Sequence, residues 1–483
     1  MPPPSYPPGN RATVQPPLLT LKDYASAKKL PVEELKSWGL TEFKPKDFDS
    51  GRTVIRIPYF TPDGSESKNI RYRLAMVGEH RFSWRKGSKS MPYGLERLKD
   101  ADPTAPLFVV EGESDTHTLW HHGFAAVGLP GANAFKTTWL THFEPFDTVC
   151  FCIEPDQGGK ALLDLIAKQP VQFRERVRLV RMTEQHKDAS ALHVADPEGF
   201  PNKFHDLHAN AQTYTDYAHA QREATARQAI QGCESLASSP DILQELDHSL
   251  EQCGLVGERD TAYLLYLALI SRVFKDPVSV CVKGLSSSGK SFTLKQVANH
   301  FPKNAYVSMT GMSEHALQYG EDDLQHKMLI VYEWRGVKEA GQYALDSMLS
   351  EGHIEYRTVE KGEDARLRES VRTRPGPTGF LTTTTRTKLH HDLENRLFSI
   401  TTSDTEDQTR LIFQEQARER EPRPEEAWIP WHKLSDFLAN SSASVTIPFW
   451  AIVSRLSSFS SVRLRRDFPR MMTLVQAHAF LHQ

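Results

Sequence analysis

The chain has 483 residues, 39% hydrophobic and 25% charged, with a formal net charge of −3. This is globular composition for several domains, and its near-neutral balance excludes binding driven by overall charge, so any surface for a polyanion must be local. Five cysteines with no CxxC pair exclude a disulfide framework and a zinc ribbon and fit a reducing, cytoplasmic setting; the longest apolar run, 262–274, contains Arg272 and is too short for a bilayer, so no membrane partner is expected.

Residues 1–18 are proline-rich and read as a disordered tail. Thr20 suits the N-cap of an amphipathic helix reaching about Trp38. Alternation in VIRIPYF and IRYRLA, on either side of Pro62-Asp63-Gly64, predicts a hairpin over 53–74. In the segment 71–99, Arg71, Arg73, Arg81, Arg85, Lys86, Lys89, Arg97 and Lys99 face only Glu79 and Glu96, with Tyr72, Phe82, Trp84 and Tyr93 interleaved. Cations of this kind bind phosphates and aromatics stack on bases, or the segment is a solvated face with its rings turned inward. Both readings are open at this point.

Strands and helices then alternate. LFVVEG, AAVGLPG, DTVCFCIEPD and RVRLVRM read as strands, with helices over 116–122, 137–143 and 159–168 between them. This alternation predicts a Rossmann-like parallel sheet whose active groups gather at the carboxyl ends of the strands. Residues 205–250 are polar and helix-prone, a connector. A second α/β unit follows, with strands PVSVCVKG, KMLIVYEW and GFLTTTT, and the tail is mostly helical.

Two strands of the first unit end in acids. VVEGESD supplies Glu111 and Asp115, CFCIEPDQGGK supplies Glu154 and Asp156, and the later loop QHKDASALH supplies Asp188. Carboxylates gathered at one sheet edge repel unless a cation neutralises them, and hard oxygen ligands suit Mg²⁺. An EGxxD strand, an acid-x-acid tip followed by glycines, and a KD pair together resemble the Toprim domain. The basic segment with its "YGL" turn resembles the subdomain that precedes Toprim in bacterial-type primases. The resemblance spans about 50–200. It implies that Glu111 is a general acid/base or metal-organising group, that Glu154 and Asp156 hold Mg²⁺ with Asp115 and Asp188 in support, and that Arg71, Arg73, Lys86 and Lys89 touch template or nucleotide phosphates. Glu113 falls outside the pattern and reads as a solvated acid. Two departures stand out: Glu154 replaces the family's usual aspartate, and no cysteine–histidine zinc module precedes the segment.

GLSSSGKS, residues 284–291, matches G-x-x-x-x-G-K-[ST] between a strand and a helix, the P-loop context. Backbone N–H groups around Gly284, Ser288 and Gly289 would cradle the phosphates of ATP, with Lys290 on the β/γ-phosphates and Ser291 on Mg²⁺. MLIVYEW resembles a Walker B strand in which Tyr332 replaces the first acid and Glu333 polarises the attacking water. The further order of helix, hairpin, TTTT strand, LENRLFSI and a late arginine-rich helix resembles the AAA+ ATPases of minichromosome-maintenance helicases. It implies Thr384 as sensor 1, Arg396 as an arginine finger acting on a neighbouring subunit, Arg466 as a sensor-2 arginine, and hence a homo-oligomeric ring.

The expected fold is multidomain α/β: a basic subdomain at 19–100, a Toprim domain at 101–204, the connector at 205–250, a P-loop AAA+ core at 251–410, and a helical lid at 411–483 that stops short. The expected function is a primase–helicase acting on DNA and NTPs. Three roles remain open to the Toprim half: primer synthesis, DNA cleavage, and non-catalytic clamping of nucleic acid.

Overall fold

The first helix, Leu21–Lys28 (α1), begins where its sequence supplies a cap. The Thr20 hydroxyl accepts from the Asp23 N–H, and the Asp23 carboxylate accepts from the Thr20 N–H. The helical stretch does not run unbroken to Trp38. Lys29 turns left-handed at φ 51°, and Pro31, which lacks an N–H, precedes a new helix, Val32–Ser37 (α2). The computed structural model describes residues 19–44, 53–78, 80–311, 317, 320, 322–334, 339–361, 367–389, 391–419, 423–457 and 463–483; the proline-rich tail at 1–18 lies outside them. The chain divides into two units, Met1–His219 and Ala220–Gln483.

In the first unit the expected hairpin is part of an antiparallel sheet ordered β1 (Thr41–Phe43), β2 (Val54–Phe60), β3 (Glu66–Arg73), β4 (Phe82–Trp84). At the β2–β3 turn the Asp63 carboxylate accepts from the Ser65 N–H at 3.0 Å, which pins the turn.

The second sheet of this unit is built from β5 (Leu107–Glu111), β6 (Ala126–Leu129), β7 (Val149–Ile153), β8 (Val177–Arg181) and β9 (Gln212–Thr213), in the order β6-β5-β7-β8-β9. All neighbours are parallel except β8 and β9. Phe108, Val110, Cys150 and Cys152 face one core, and Leu107, Val109, Val149 and Phe151 face another. Both faces are covered, so the strands read as continuous apolar runs. The helices that matter to the site are α3 (Glu113–His121), α4 (Gln157–Ala167), α5 (Ala189–Ala195) and α6 (Phe200–Ala209).

The second unit contains a parallel sheet built from β10 (Val280–Lys283), β11 (Tyr306–Met309), β12 (Lys327–Val331), β15 (Thr378–Thr384) and β16 (Phe398–Thr401), in the order β11-β12-β15-β10-β16. Val280, Val282, Ile330 and Leu381 pack on one face, and Cys281, Leu329, Val331 and Phe380 on the other. Helices α7 (Arg259–Ile270), α8 (Lys290–Ala298), α9 (Glu339–Glu351) and α10 (Leu464–Leu481) complete the elements used below. Strands β13 (His353–Lys361) and β14 (Leu367–Pro375) form a separate antiparallel ribbon, in register from His353↔Pro375 to Lys361↔Leu367. Its connecting residues, 362–366, lie outside the described set. The result is a multidomain α/β protein, as its sequence alternation indicates. Among the described residues no helix is long and apolar enough to cross a membrane, and all five cysteines are free.

Candidate functional site

Three adjacent strands, β5, β7 and β8, deliver the acids of the first unit from their carboxyl ends. Glu111 is the last residue of β5, Glu154 follows β7, and Asp188 follows β8. The chain turns from β5 into α3 at Gly112, whose φ of 99° is costly for any residue with a Cβ. At the second tip, a Cβ on Gly159 would lie 2.0 Å from the Glu154 carbonyl oxygen, so only glycine lets α4 begin this close to its strand.

The structure places Glu111, Asp115, Glu154, Asp156 and Asp188 around one open cavity of ≈ 620 Å³. Asp156 caps α4, accepting from the N–H groups of Gly158 and Gly159 at 2.8 and 3.2 Å. Asp188 caps α5, accepting from the Ala191 N–H at 2.6 Å. Asp115 is buried and accepts from the Ser190 N–H at 2.8 Å.

Electrostatics at the cavity are those of crowded, partly dehydrated acids. Burial pushes Glu111 up, with Asp156 and Asp188 adding to it. Burial, then Glu111 and Asp188, pushes Glu154 up to about 7. Burial and Asp188 hold Asp115 well above the usual carboxylate range. An oxygen-only donor set whose members destabilise one another as anions fits a hard divalent cation such as Mg²⁺.

Cations line the same cavity. Arg71, Arg73, Arg81, Lys28 and Lys187 also line the cavity, while the exposed Lys86 and Lys89 do not. Arg73 is buried, with its guanidinium 4.8 Å from the Phe82 ring centre. The Nε atoms of Arg71 and Arg73 are buried without a hydrogen-bond partner among the described residues. Lys28 reaches the cavity from α1 and donates to the Ser190 hydroxyl at 2.8 Å; nothing in its local sequence signals this.

Glu113 is not a solvated acid. It is 2% exposed, accepts from the Tyr59 hydroxyl at 2.6 Å, and pairs with Arg71 at 3.0 Å. Helix α3 starts at Glu113 rather than at Thr116, so the first helical turn swings this side chain back towards β2 and β3.

In the second unit the loop 284–289 joins β10 to α8, with Ser287 at φ 68° and Gly289 at φ 80°. Gly284 opens the loop in close approach to Ser288, and the Ser288 hydroxyl lies 2.8 Å from that of Thr402. Lys290 folds back to donate to the Leu285 carbonyl. The Ser291 hydroxyl donates to the Tyr332 carbonyl at 3.3 Å and lies 3.2 Å from the Thr383 hydroxyl. Burial pulls Lys290 down, opposed by Glu333, which follows β12 and whose Oε1 is buried with no hydrogen-bond partner among the described residues.

The threonine against Ser291 is therefore Thr383. Thr384, one residue on, is fully buried and accepts from the Arg386 N–H at 3.1 Å. Arg396 donates to the Asp346 carbonyl at 3.0 Å and lies 3.4 Å from its carboxylate, held by α9. Arg466 is exposed on α10.

Residues 236–427 match a family model described as the MTBMA_p00010 P-loop domain, so the chain carries a P-loop domain. A search among curated proteins finds no significant match. Among solved structures, the primase fragment of the bacteriophage T7 primase-helicase protein is 18% identical, covering 37% of this chain and 71% of that one with a TM-score of 0.30. The RNA polymerase domain of Mycobacterium tuberculosis primase DnaG is 14% identical over 48% of this chain and 90% of its own, with a TM-score of 0.34. The E. coli primase catalytic core is 15% identical over 47% and 80%, also with a TM-score of 0.34.

Proposed function

We propose that this chain is a primase–helicase-type protein, in which an Mg²⁺-dependent Toprim nucleotidyl-transfer site accompanies an ATP-hydrolysing AAA+ motor on DNA. The observation that carries the reading is the convergence of five carboxylates from three neighbouring strand ends on a cavity also lined by cations.

In primer synthesis a 3′-hydroxyl attacks the α-phosphate of an incoming NTP and pyrophosphate leaves. Glu111, with its raised proton affinity, is suited to take the hydroxyl proton. Mg²⁺ held by Glu111, Glu154, Asp156 and Asp188, with Asp115 in support, would supply charge neutralisation for the phosphates. Lys28, Arg73 and Lys187 offer cationic groups to the same phosphates. Lys86 and Lys89, exposed and outside the cavity lining, would meet a template strand rather than a nucleotide.

In the motor, Lys290 would leave the Leu285 carbonyl to meet the β/γ-phosphates of ATP. Ser291 would hold the accompanying Mg²⁺. Glu333 orients the attacking water with its unpartnered oxygen, and Thr383, beside Ser291, is the sensor hydroxyl in preference to Thr384. Arg396 serves a neighbouring subunit after release from Asp346, Arg466 acts from the lid, and the assembly is a homo-oligomeric ring.

The test incubates the protein with Mg²⁺ or Mn²⁺, labelled NTPs and single-stranded template, alongside labelled plasmid and an ATPase assay. Template-dependent incorporation that disappears in Glu111→Ala is the expected result. Plasmid cleavage in place of synthesis would assign a nuclease, and products in neither assay would leave a nucleic-acid clamp. DNA-stimulated ATP hydrolysis should fall by about 100-fold or more in Lys290→Ala; full activity in that variant would remove the motor.

A further inference from the structure

Helices α3 and α5 each carry an acid of the cavity near the amino end, Asp115 and the capping Asp188 respectively. Towards their other ends they bring three imidazoles together. His121 ends α3, His122 caps it, and His193 lies in the last turn of α5. One ring nitrogen of each lies within 4.8 Å of those of the other two. His193 is fully buried, while His121 and His122 are partly exposed, which leaves an approach from solvent.

The surroundings set the ring protons. The Lys29 carbonyl lies 3.1 Å from His193 Nε2 and can only accept, so Nε2 carries the proton and Nδ1 the lone pair. The Glu34 carboxylate takes His121 Nδ1–H at 2.8 Å and leaves the lone pair on Nε2. His122 Nε2 then donates to His193 Nδ1 at 3.0 Å, and moving that proton to its own Nδ1 frees the third lone pair. The His122 ring is steadied by stacking on Phe200, 4.4 Å between centres at 23°. A carboxylate and a backbone carbonyl behind the rings are the partners that orient imidazole ligands and raise their basicity.

We propose that His121, His122 and His193 form a second metal site, for a borderline divalent cation of the zinc class, separate in chemistry from the carboxylate cavity. Imidazole nitrogens select Zn²⁺, Co²⁺ or Ni²⁺ over Mg²⁺. A tetrahedral site with metal–nitrogen bonds near 2.0–2.1 Å needs nitrogens about 3.3 Å apart. The His122–His193 pair is already about that close at 3.0 Å, and metal binding would draw in the wider separations, which reach at most 4.8 Å. The cation would tie α3 to α5 and, through Glu34 and Lys29, to the segment around α2. These are the elements that hold Asp115 and Asp188, so the site would brace the acid cavity without touching its substrate.

The test uses the full chain, stripped with chelator, with excess Mg²⁺ present to occupy the carboxylates and Co²⁺ as the optical probe. One equivalent of Co²⁺ should bind with visible d–d bands of nitrogen ligation and no thiolate charge-transfer band, and Zn²⁺ should displace it and raise the melting midpoint. His122→Gln and His193→Gln should each weaken binding by about 100-fold. Glu34→Gln, at a half-exposed position that should leave folding intact, should weaken it by about 10-fold or more. Glu154→Gln, in the carboxylate cavity, should leave the bands in place. Absence of the bands in the wild-type protein, or their survival in both histidine variants, would overturn the site.

Discussion

Glu113 shows what a single side chain can hide. In the sequence it is one acid among three, and its partner Arg71 lies 42 residues away on strand β3, a separation that no local pattern reveals. In the fold the two are a buried pair bridged by Tyr59, with Arg71 14% exposed. Removing one member of such a pair leaves the other charged and uncompensated, at about 3–5 kcal/mol. Glu113→Ala should lower unfolding free energy by about that amount, and Glu113→Ala/Arg71→Ala should cost less than the two single changes summed. Urea denaturation measures both, and simple additivity would refute the coupling. Glu154 sets a different test. Its raised pKa means that the folded protein holds this proton more tightly than the unfolded chain, so its contribution to stability is full below about 4.5 and is lost as pH rises through about 7. Chelator-treated protein should therefore lose melting temperature between about pH 5 and about pH 8, more steeply in wild type than in Glu154→Gln, with Mg²⁺ recovering the loss at the upper end. Identical slopes in the two proteins would argue against it.

At the scale of elements, strand–helix alternation made both parallel sheets legible, because a strand buried on both faces writes itself as an apolar run and its helix as a 3.6-residue period. One-residue choices were not legible. The run TTTT could not say which hydroxyl meets the P-loop, since that depends on the pleat of β15 beside β10 and β12. Thr383→Ala should slow ATP hydrolysis by about 10-fold or more, whereas Thr384→Ala should act on stability by about 1 kcal/mol with its turnover preserved. Steady-state ATPase rates beside thermal melts separate the two, and the reverse pattern would restore Thr384. The break between α1 and α2 was legible in principle, in Pro31. The placement of Lys28 at the cavity was not, because it depends on α1 packing far from its sequence neighbours. Gly159→Ala should cost about 1–3 kcal/mol and weaken Mg²⁺ binding together, because the added Cβ pushes on the backbone that carries Glu154. Calorimetric titration with Mg²⁺ reads the second effect; unchanged affinity would mean that the tip tolerates the push.

The whole molecule is two units with separate cores, divided at His219, inside the polar stretch that reads as a helical connector. Part of that stretch belongs to the first unit: Gln212–Thr213 is the antiparallel edge strand β9, two residues too few to leave a period in the sequence. Separate cores predict two unfolding transitions. ATP with Mg²⁺ should raise only the one belonging to Ala220–Gln483, by calorimetry or by proteolysis of each half; a single transition that moves as one would contradict the division. The Tyr59–Glu113–Arg71 contact has a kinetic meaning as well. It fastens the antiparallel sheet, through β2 and β3, to the first turn of α3, beside the acids. Either sheet can loosen only by exposing a dry carboxylate, so the two should breathe as one cooperative unit. Amide protons of β3 and of α3 should then exchange at one shared opening rate. A substrate gripped by the acids and the arginines together would feel a single stiff jaw rather than two that close independently.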